Sequence, residues 1–320
     1  MVTLDDVRAA SERLRPFVVR TPLELSIGLS ALCGVDVWLK LECFQRTGSF
    51  KLRGALNALL QLDDAAKRSG VVTASAGNHG LGVAKAAELL GVRATVVVPQ
   101  TASAAKVEAL RHSGAELLQQ GATYDEAEAG GVRLARERGL RFVSPYNDEA
   151  VIAGAGTIAL EISEDLPDVR TLIVPAGGGG LISGMGVAAH GVNPDVHVIG
   201  VQSVASPALQ AALAAGRGVP VDVKSSLADG LAGNIETGSI TIDLVLHHVR
   251  DVVLVEETQI AGAMRWLLEH EHMLVEGSAA VGVAALQFNR PSLEGPVAVV
   301  LTGRNVAVAV LQQYVLGSRP

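Results

Sequence analysis

Lys51 stands in RTGSFKLRG (Arg46–Gly54), where a turn-like QRTGS gives way to a stretch with helical spacing. A lysine in the first turn of a helix sits at the wrong end of the helix dipole. That position favours the neutral amine, the form that attacks an aldehyde. For one residue taken alone, a solvated surface lysine is the ordinary alternative. A second feature lies far along the chain, in VPAGGGGLISG (Val174–Gly184). Gly177, Gly178, Gly179 and Gly180 follow an apolar run and open a helix. Without Cβ atoms their amides can turn toward one anion beside the positive helix end, and a phosphate is the natural guest. A merely flexible turn leaves four consecutive glycines, each entropically unfavourable, without a reason. The P-loop spacing, and GxGxxG with a well-placed acidic residue, are both absent, which argues against nicotinamide cofactors.

Two further loops follow strand-like runs. SAGNHG (Ser75–Gly80) places Asn78 and His79 beside exposed amides at a helix start, where an ordinary helix cap is the alternative reading. LTGRN (Leu301–Asn305) lets Thr302 present a hydroxyl at the end of the last apolar run. Other candidates fare worse. In His270-Glu271-His272 the two imidazoles diverge on a helix, so a solvated face is the better reading, and His247–His248 is similar. Cys33 and Cys43 form no CxxC or zinc pattern and suit a reducing compartment. No metal site is expected, and no Ser–His–Asp arrangement stands out.

The elements that must position these residues alternate in kind. Thr3 caps a first helix through about Leu14. Val35–Glu42 alternates like a strand, and a helix follows over about Phe50–Lys67. Strand Val71–Ser75 precedes a helix over Asn78–Leu90 closed by Gly91. Strand Ala94–Pro99 precedes a helix over Ala104–His112 closed by Gly114. AELLQ leads into a helix over Tyr124–Arg138 closed by Gly139, and Arg141–Pro145 is another strand. Val-rich runs at Thr171–Ala176, Val196–Gln202, Asp251–Glu256 and Pro296–Thr302 continue the alternation. Short apolar strands between helices predict α/β architecture: two open parallel-sheet domains with helices on both faces. In such sheets ligands sit at the carboxyl ends of the strands, where all four loops fall.

The 320 residues suit two domains, and 49% apolar residues suffice for sizeable cores. A net charge of −7, with no basic stripe interleaved with aromatics, argues against nucleic acid. MVTLDDVRAASERL carries early acids and no apolar core, unlike a signal peptide, and no apolar run approaches a membrane span. A cytoplasmic protein is expected.

Taken in chain order, TGSFKLRGA, SAGNHG, SPYNDEAVIAGAGTIALEI, PAGGGGL, SSLADG, VEGSAA and LTGRN resemble the fold-type II pyridoxal-phosphate (PLP) enzymes, in their threonine/serine dehydratase and serine racemase branch. The similarity runs from RTPLELS (Arg20–Ser26) to LTGRN. It implies a tryptophan synthase β-like fold, with a large cofactor-binding domain over 1–69 and 147–320. A small domain over 70–146 would close over the substrate. It implies that Lys51 holds the cofactor as a Schiff base and later moves protons. Phe50 would lie against the pyridine ring, Asn78 would bond the 3′-oxygen, and Gly177–Gly180 would bind the phosphate. Thr302 would stand where the family usually has a serine facing the ring nitrogen. Ser75 and His79 fall where the substrate carboxylate is received, Tyr146 close to the substrate, and Glu276 near the active site. The implied activity is β-elimination from an amino acid such as L-threonine or L-serine, by a homodimer. A racemase or a β-replacement synthase is the alternative within the family, and a non-catalytic phosphate-ligand binder the alternative outside it.

Several positions depart from the family pattern. Ala76 stands where the racemase has a second catalytic serine. Tyr146 occupies a position usually held by Phe or Asn, Ala155 replaces a common glutamine, and Arg304 replaces a glycine. Gln202 and Ala208 fall where the racemases carry two carboxylate metal ligands, so no divalent ion is expected. The chain is expected to lack the C-terminal regulatory domain of feedback-inhibited threonine deaminases.

Overall fold

A computed structural model describes residues 1–102 and 104–317. Its strands are β1 (Leu23–Leu25), β2 (Val37–Lys40), β3 (Val71–Ala74), β4 (Ala94–Val98), β5 (Glu116–Gln119), β6 (Arg141–Phe142), β7 (Thr171–Pro175), β8 (His197–Ser203), β9 (Asp251–Val255) and β10 (Val297–Val300). They form a six-stranded sheet in the order β1-β2-β10-β7-β8-β9 and a four-stranded sheet in the order β5-β4-β3-β6. Every pairing is parallel except β1 with β2.

The apolar runs explain the layering. On β7 and β10, Leu172, Val174, Ala298 and Val300 enter one core. Ile173, Val297 and Val299 enter the other. Alternate residues of a strand point to opposite faces, so a run apolar at every position is a sheet buried on both sides. Helices Leu4–Leu14, Glu149–Asp165 and Gly180–Val192 cover the first face. Helices Glu257–His270 and Gly277–Ala284 cover the second. The smaller sheet lies between Lys51–Leu60 and Asn78–Leu90 on one side and Tyr124–Arg138 on the other.

Local signals behave as expected at several ends. Thr3 and Asp6 form a reciprocal capping box, and Gly91 and Gly139 close their helices in the left-handed conformation. Other boundaries move. The helix expected over Phe50–Lys67 is two, Lys51–Leu60 and Asp64–Ser69, because Asp63 accepts the Ala66 N–H at 2.7 Å and starts a new helix. AELLQ, expected only to lead into a helix, supplies β5. The edge strand β1 was not anticipated and is the one antiparallel partner. The helix carrying His270 ends there, and His272 takes a positive φ of 56°. No described helix is long and apolar enough to cross a membrane.

Candidate active site

Lys51 opens its helix without a side-chain cap, so other contacts must fix it. The preceding loop is sewn to the end of β10: Ser49 bridges Gly303, and Phe50 N donates to Thr302 O at 3.0 Å. Helix Glu149–Asp165 approaches closely from behind, since a Cβ at Gly154 would lie 2.6 Å from Arg53 O. The Lys51 ammonium donates to Pro145 O at 2.9 Å and lies 5.2 Å from the Phe50 ring centroid. Loss of solvation pulls the amine down to about 8, against the opposing charge of Glu276. A substantial fraction is thus neutral near physiological pH.

The tetraglycine loop leaves β7 and opens helix Gly180–Val192, whose first amides have no side-chain cap. Each glycine is there for want of room. A Cβ would fall 3.1 Å from Leu231 Cα at Gly177 and 2.5 Å from the Tyr146 ring at Gly178. At Gly179 it would meet Thr241 Cβ at 2.9 Å, and at Gly180 Tyr146 Cα at 2.8 Å. Gly179 also adopts a φ of 91°, and Thr241 Oγ1 fixes the loop by donating to Gly178 O at 2.8 Å. Uncapped amides at a helix start make an anion site.

Asn78 and Glu276 meet across the gap between the two sheets. Asn78 Nδ2 donates to Glu276 Oε1 at 2.7 Å, and Asn305 N donates to Oε2 at 3.1 Å. Asn305 Nδ2 in turn donates to Asn78 Oδ1 at 2.7 Å. Burial and then Asp229 push the Glu276 carboxyl up to about 7, so it exchanges a proton near neutrality. Asn305, the last residue of LTGRN, joins this chain of amides only through the fold.

The remaining candidates are placed as follows. Thr302 is buried at the end of β10. Ser75 Oγ turns back to accept the Gly77 N–H at 3.2 Å. Tyr146 lies over Gly178 and Gly180, its hydroxyl accepting Glu236 N–H at 3.1 Å. His79 is buried with Nε2 3.1 Å from Val143 O. A carbonyl only accepts, so the proton sits on Nε2, and Nδ1 is a lone pair with no partner. Burial, aided by Lys51, holds this imidazole down at about 3. A neutral ring with its only N–H engaged offers no side-chain donor to a carboxylate; the backbone at this helix start remains the donor there.

The positions tied to divalent ions are otherwise engaged. Gln202 Oε1 accepts Leu209 N and Gln210 N, both at 3.0 Å, and so caps helix Ala208–Ala215. Ala208 is buried and offers no ligand atom. Among the described residues no group of three metal ligands gathers. Arg304 lies 5.2 Å from the Phe44 ring centroid.

The ends of β3, β7 and β10 and the segment after β6 thus bring together an amine, an anion cradle, an amide–carboxyl pair and a buried hydroxyl. A hollow of about 630 Å³ lies at the opposite edge, among Gly70, Val71, Arg93, Ala94 and Leu140, where strands begin. It carries none of these groups. The residues present fit PLP on two observations: a glycine-lined helix start whose amides carry no side-chain cap, and buried polar atoms at Ser49 Oγ and His79 Nδ1 left without partners.

Residues 14–303 match a family described as pyridoxal-phosphate dependent enzyme. The chain is similar to the L-threonine ammonia-lyase of Thermotoga maritima, 45% identical over 316 residues, which cover 98% of this chain and 78% of that relative. Among solved structures it is similar to maize serine racemase, with a TM-score of 0.93, 35% identity, and coverage of 98% of this chain and 96% of that one. It is also similar to the processed form of threonine deaminase isoform 2 from Solanum lycopersicum. There the TM-score is 0.90 and the identity 33%, over 97% of this chain and 91% of that one.

Proposed function

The chain belongs to the pyridoxal-phosphate dependent enzymes, and on that premise we propose that it is an ammonia-lyase acting on β-hydroxy amino acids. L-Threonine or L-serine would lose water to give an enamine, whose hydrolysis takes water back and releases ammonia, leaving a 2-oxo acid. The observation that carries the reading is the half-buried Lys51 amine, depressed to about 8 and placed with an anion cradle and Asn78. The L-threonine ammonia-lyase similar over nearly the whole chain supports the choice of reaction.

The cofactor, when bound, supplies an electron sink for charge developing at the substrate α-carbon. The chain does the rest. Gly177–Gly180 would present backbone amides to the phosphate. Phe50 and Asn78 would orient the ring, and Lys51 Nζ would be the point of covalent attachment. The Lys51 amine, where not engaged with the cofactor, would take the α-proton. Thr302 would offer a hydroxyl to the ring nitrogen, and a hydroxyl does not enforce a positive ring as a carboxylate does. That suits elimination, in which the leaving β-hydroxyl drains the charge. Ser75 and the backbone around His79 hold the substrate carboxylate, and Tyr146 borders the substrate. Residues 70–146 close over the site against the rest of the chain, and Glu276, bonded to Asn78, holds a proton between the two. The reading extends to a cytoplasmic homodimer; two free cysteines suit a reducing compartment.

The direct test is 2-oxo acid release from a panel of β-hydroxy amino acids. Release from L-threonine or L-serine is expected, and none from any member would refute the proposal. A pH dependence follows from Lys51. Only the neutral amine attacks an aldehyde, and it gains population as pH rises through about 8. Cofactor loading onto apoprotein should slow about tenfold per unit below that point and plateau above it. Stopped-flow absorbance reads this, and a rate flat between pH 6 and 9 would contradict it.

A further inference from the structure

Arg53, on the same helical turn as Lys51, is fully buried and grips two carboxylates at once. Its Nε and Nη2 donate to Glu42 Oε2 and Oε1 at 2.9 and 2.8 Å. Nη1 and Nη2 donate to Glu161 Oε1 and Oε2 at 2.7 and 2.9 Å. Lys40, itself buried, donates to Glu161 Oε2 and to Thr21 O, both at 2.7 Å. Thr21 Oγ1 donates to Glu42 Oε1 at 2.5 Å. Two cations thus balance two carboxylates.

From this we infer that Arg53, Glu42, Glu161 and Lys40 form a buried ionic clamp that positions Lys51 for the reaction. The inference rests on the ammonia-lyase reading and adds positioning residues to it. Lys40 ends β2, whose neighbour β10 leads into Thr302. Glu42 starts the turn that reaches β10 through Cys43 N to Leu301 O at 2.8 Å. Glu161 belongs to helix Glu149–Asp165. The fork of Arg53 therefore fixes the Lys51 helix against two elements, and Lys40 ties β2 to them through Glu161. Lys51 is two residues away in a rigid turn, so a tilt that breaks the fork displaces the amine.

Stability alone does not account for the cluster. Taking four charges from water is unfavourable, and apolar residues of similar volume generally hold such a site as well or better. What a double bidentate fork adds is direction, because its planar donors match two carboxylates in one geometry. The balance of charge also leaves Lys51 undisturbed: its depressed proton affinity traces to burial, opposed by Glu276, and not to Arg53.

The test uses the cofactor-loaded protein. Lys40→Met with Glu161→Gln removes one charge of each sign and leaves Arg53 paired with Glu42. This double variant should fold, with a melting temperature near wild type. Its kcat for 2-oxo acid release should fall about 10- to 100-fold, the effect of an ångström-scale misplacement. KM should move less than about threefold. The visible circular dichroism of the bound cofactor should change, a readout that needs no substrate. Arg53→Lys keeps the charge but loses the fork, and should show the same change in dichroism. Wild-type dichroism and kcat in a folded double variant would overturn the proposal, as would full function in Arg53→Lys. If both variants fail to fold, the cluster serves stability and the proposal falls. If wild type turns over no substrate, the ammonia-lyase reading fails instead, while the dichroism still tests the clamp.

Discussion

Lys51→Ala is expected to abolish 2-oxo acid release, lowering kcat on the order of 10⁴-fold or more. The loss removes both covalent attachment and the proton carrier, and the second alone contributes about 10²- to 10⁴-fold. No other amine can replace it. Of the six lysines in the chain, Lys40 is buried against Glu161, Lys85 pairs with Glu88 and Lys106 with Asp229. Lys67 and Lys224 lie outside the loops that build the site. The fold should survive. The variant leaves Pro145 O without its donor, which costs about 1–3 kcal/mol, but it also relieves the burial of an amine. Circular dichroism and a melting curve check folding beside the assay. Residual turnover within a hundredfold of wild type would show that the amine of Lys51 is not the reacting group.

The second large effect concerns the choice between elimination and racemisation. The solved structures that resemble this chain include maize serine racemase as well as a threonine deaminase, so fold similarity does not decide the matter. Racemisation needs a proton donor on each face of a planar carbanion. On the proposed reading Lys51 serves one face. The family resemblance places Ala76 at the position facing the other side, and a methyl group has no proton to give. The neighbouring Ser75 hydroxyl is turned onto its own loop, accepting the Gly77 N–H. Loss of a positioned donor lowers a rate by about 10²- to 10⁴-fold, so elimination should exceed racemisation by that order. With L-serine, pyruvate and D-serine are followed together. Ala76→Ser should raise D-serine relative to pyruvate. Comparable rates of both products in the wild type would mean that another group, or water, serves the second face.

Much of this site was legible because it is built from loops whose chemistry is local. The four glycines suggest an anion cradle in the sequence, and the structure adds a packing reason for them, neighbours 2.5–3.1 Å from where each Cβ would stand. A lysine at a helix start is likewise a local statement. The two sheets follow from runs apolar at every position. What escaped depended on distance. β1 is three residues with a half-exposed to exposed pattern, and only its pairing with β2 defines it. β5 is half exposed and has no strong alternation. Arg53 and Lys40 are charged residues that composition alone places at the surface. Their partner Glu161 lies 108 and 121 residues away. The tautomer of His79 is set by Val143, 64 residues on, so its protonation state could not be read beforehand.

The claim on which the rest stands is that Lys51 carries the cofactor, and reduction followed by peptide mapping tests it most directly. The purified holoprotein should show a visible absorption band from its lysine-bound cofactor. Borohydride should bleach that band and leave the cofactor irreversibly attached. Digestion and mass spectrometry should then find the added mass on the peptide containing TGSFKLR, at Lys51. Attachment at any other lysine, or release of all the cofactor after reduction and denaturation, would contradict the account.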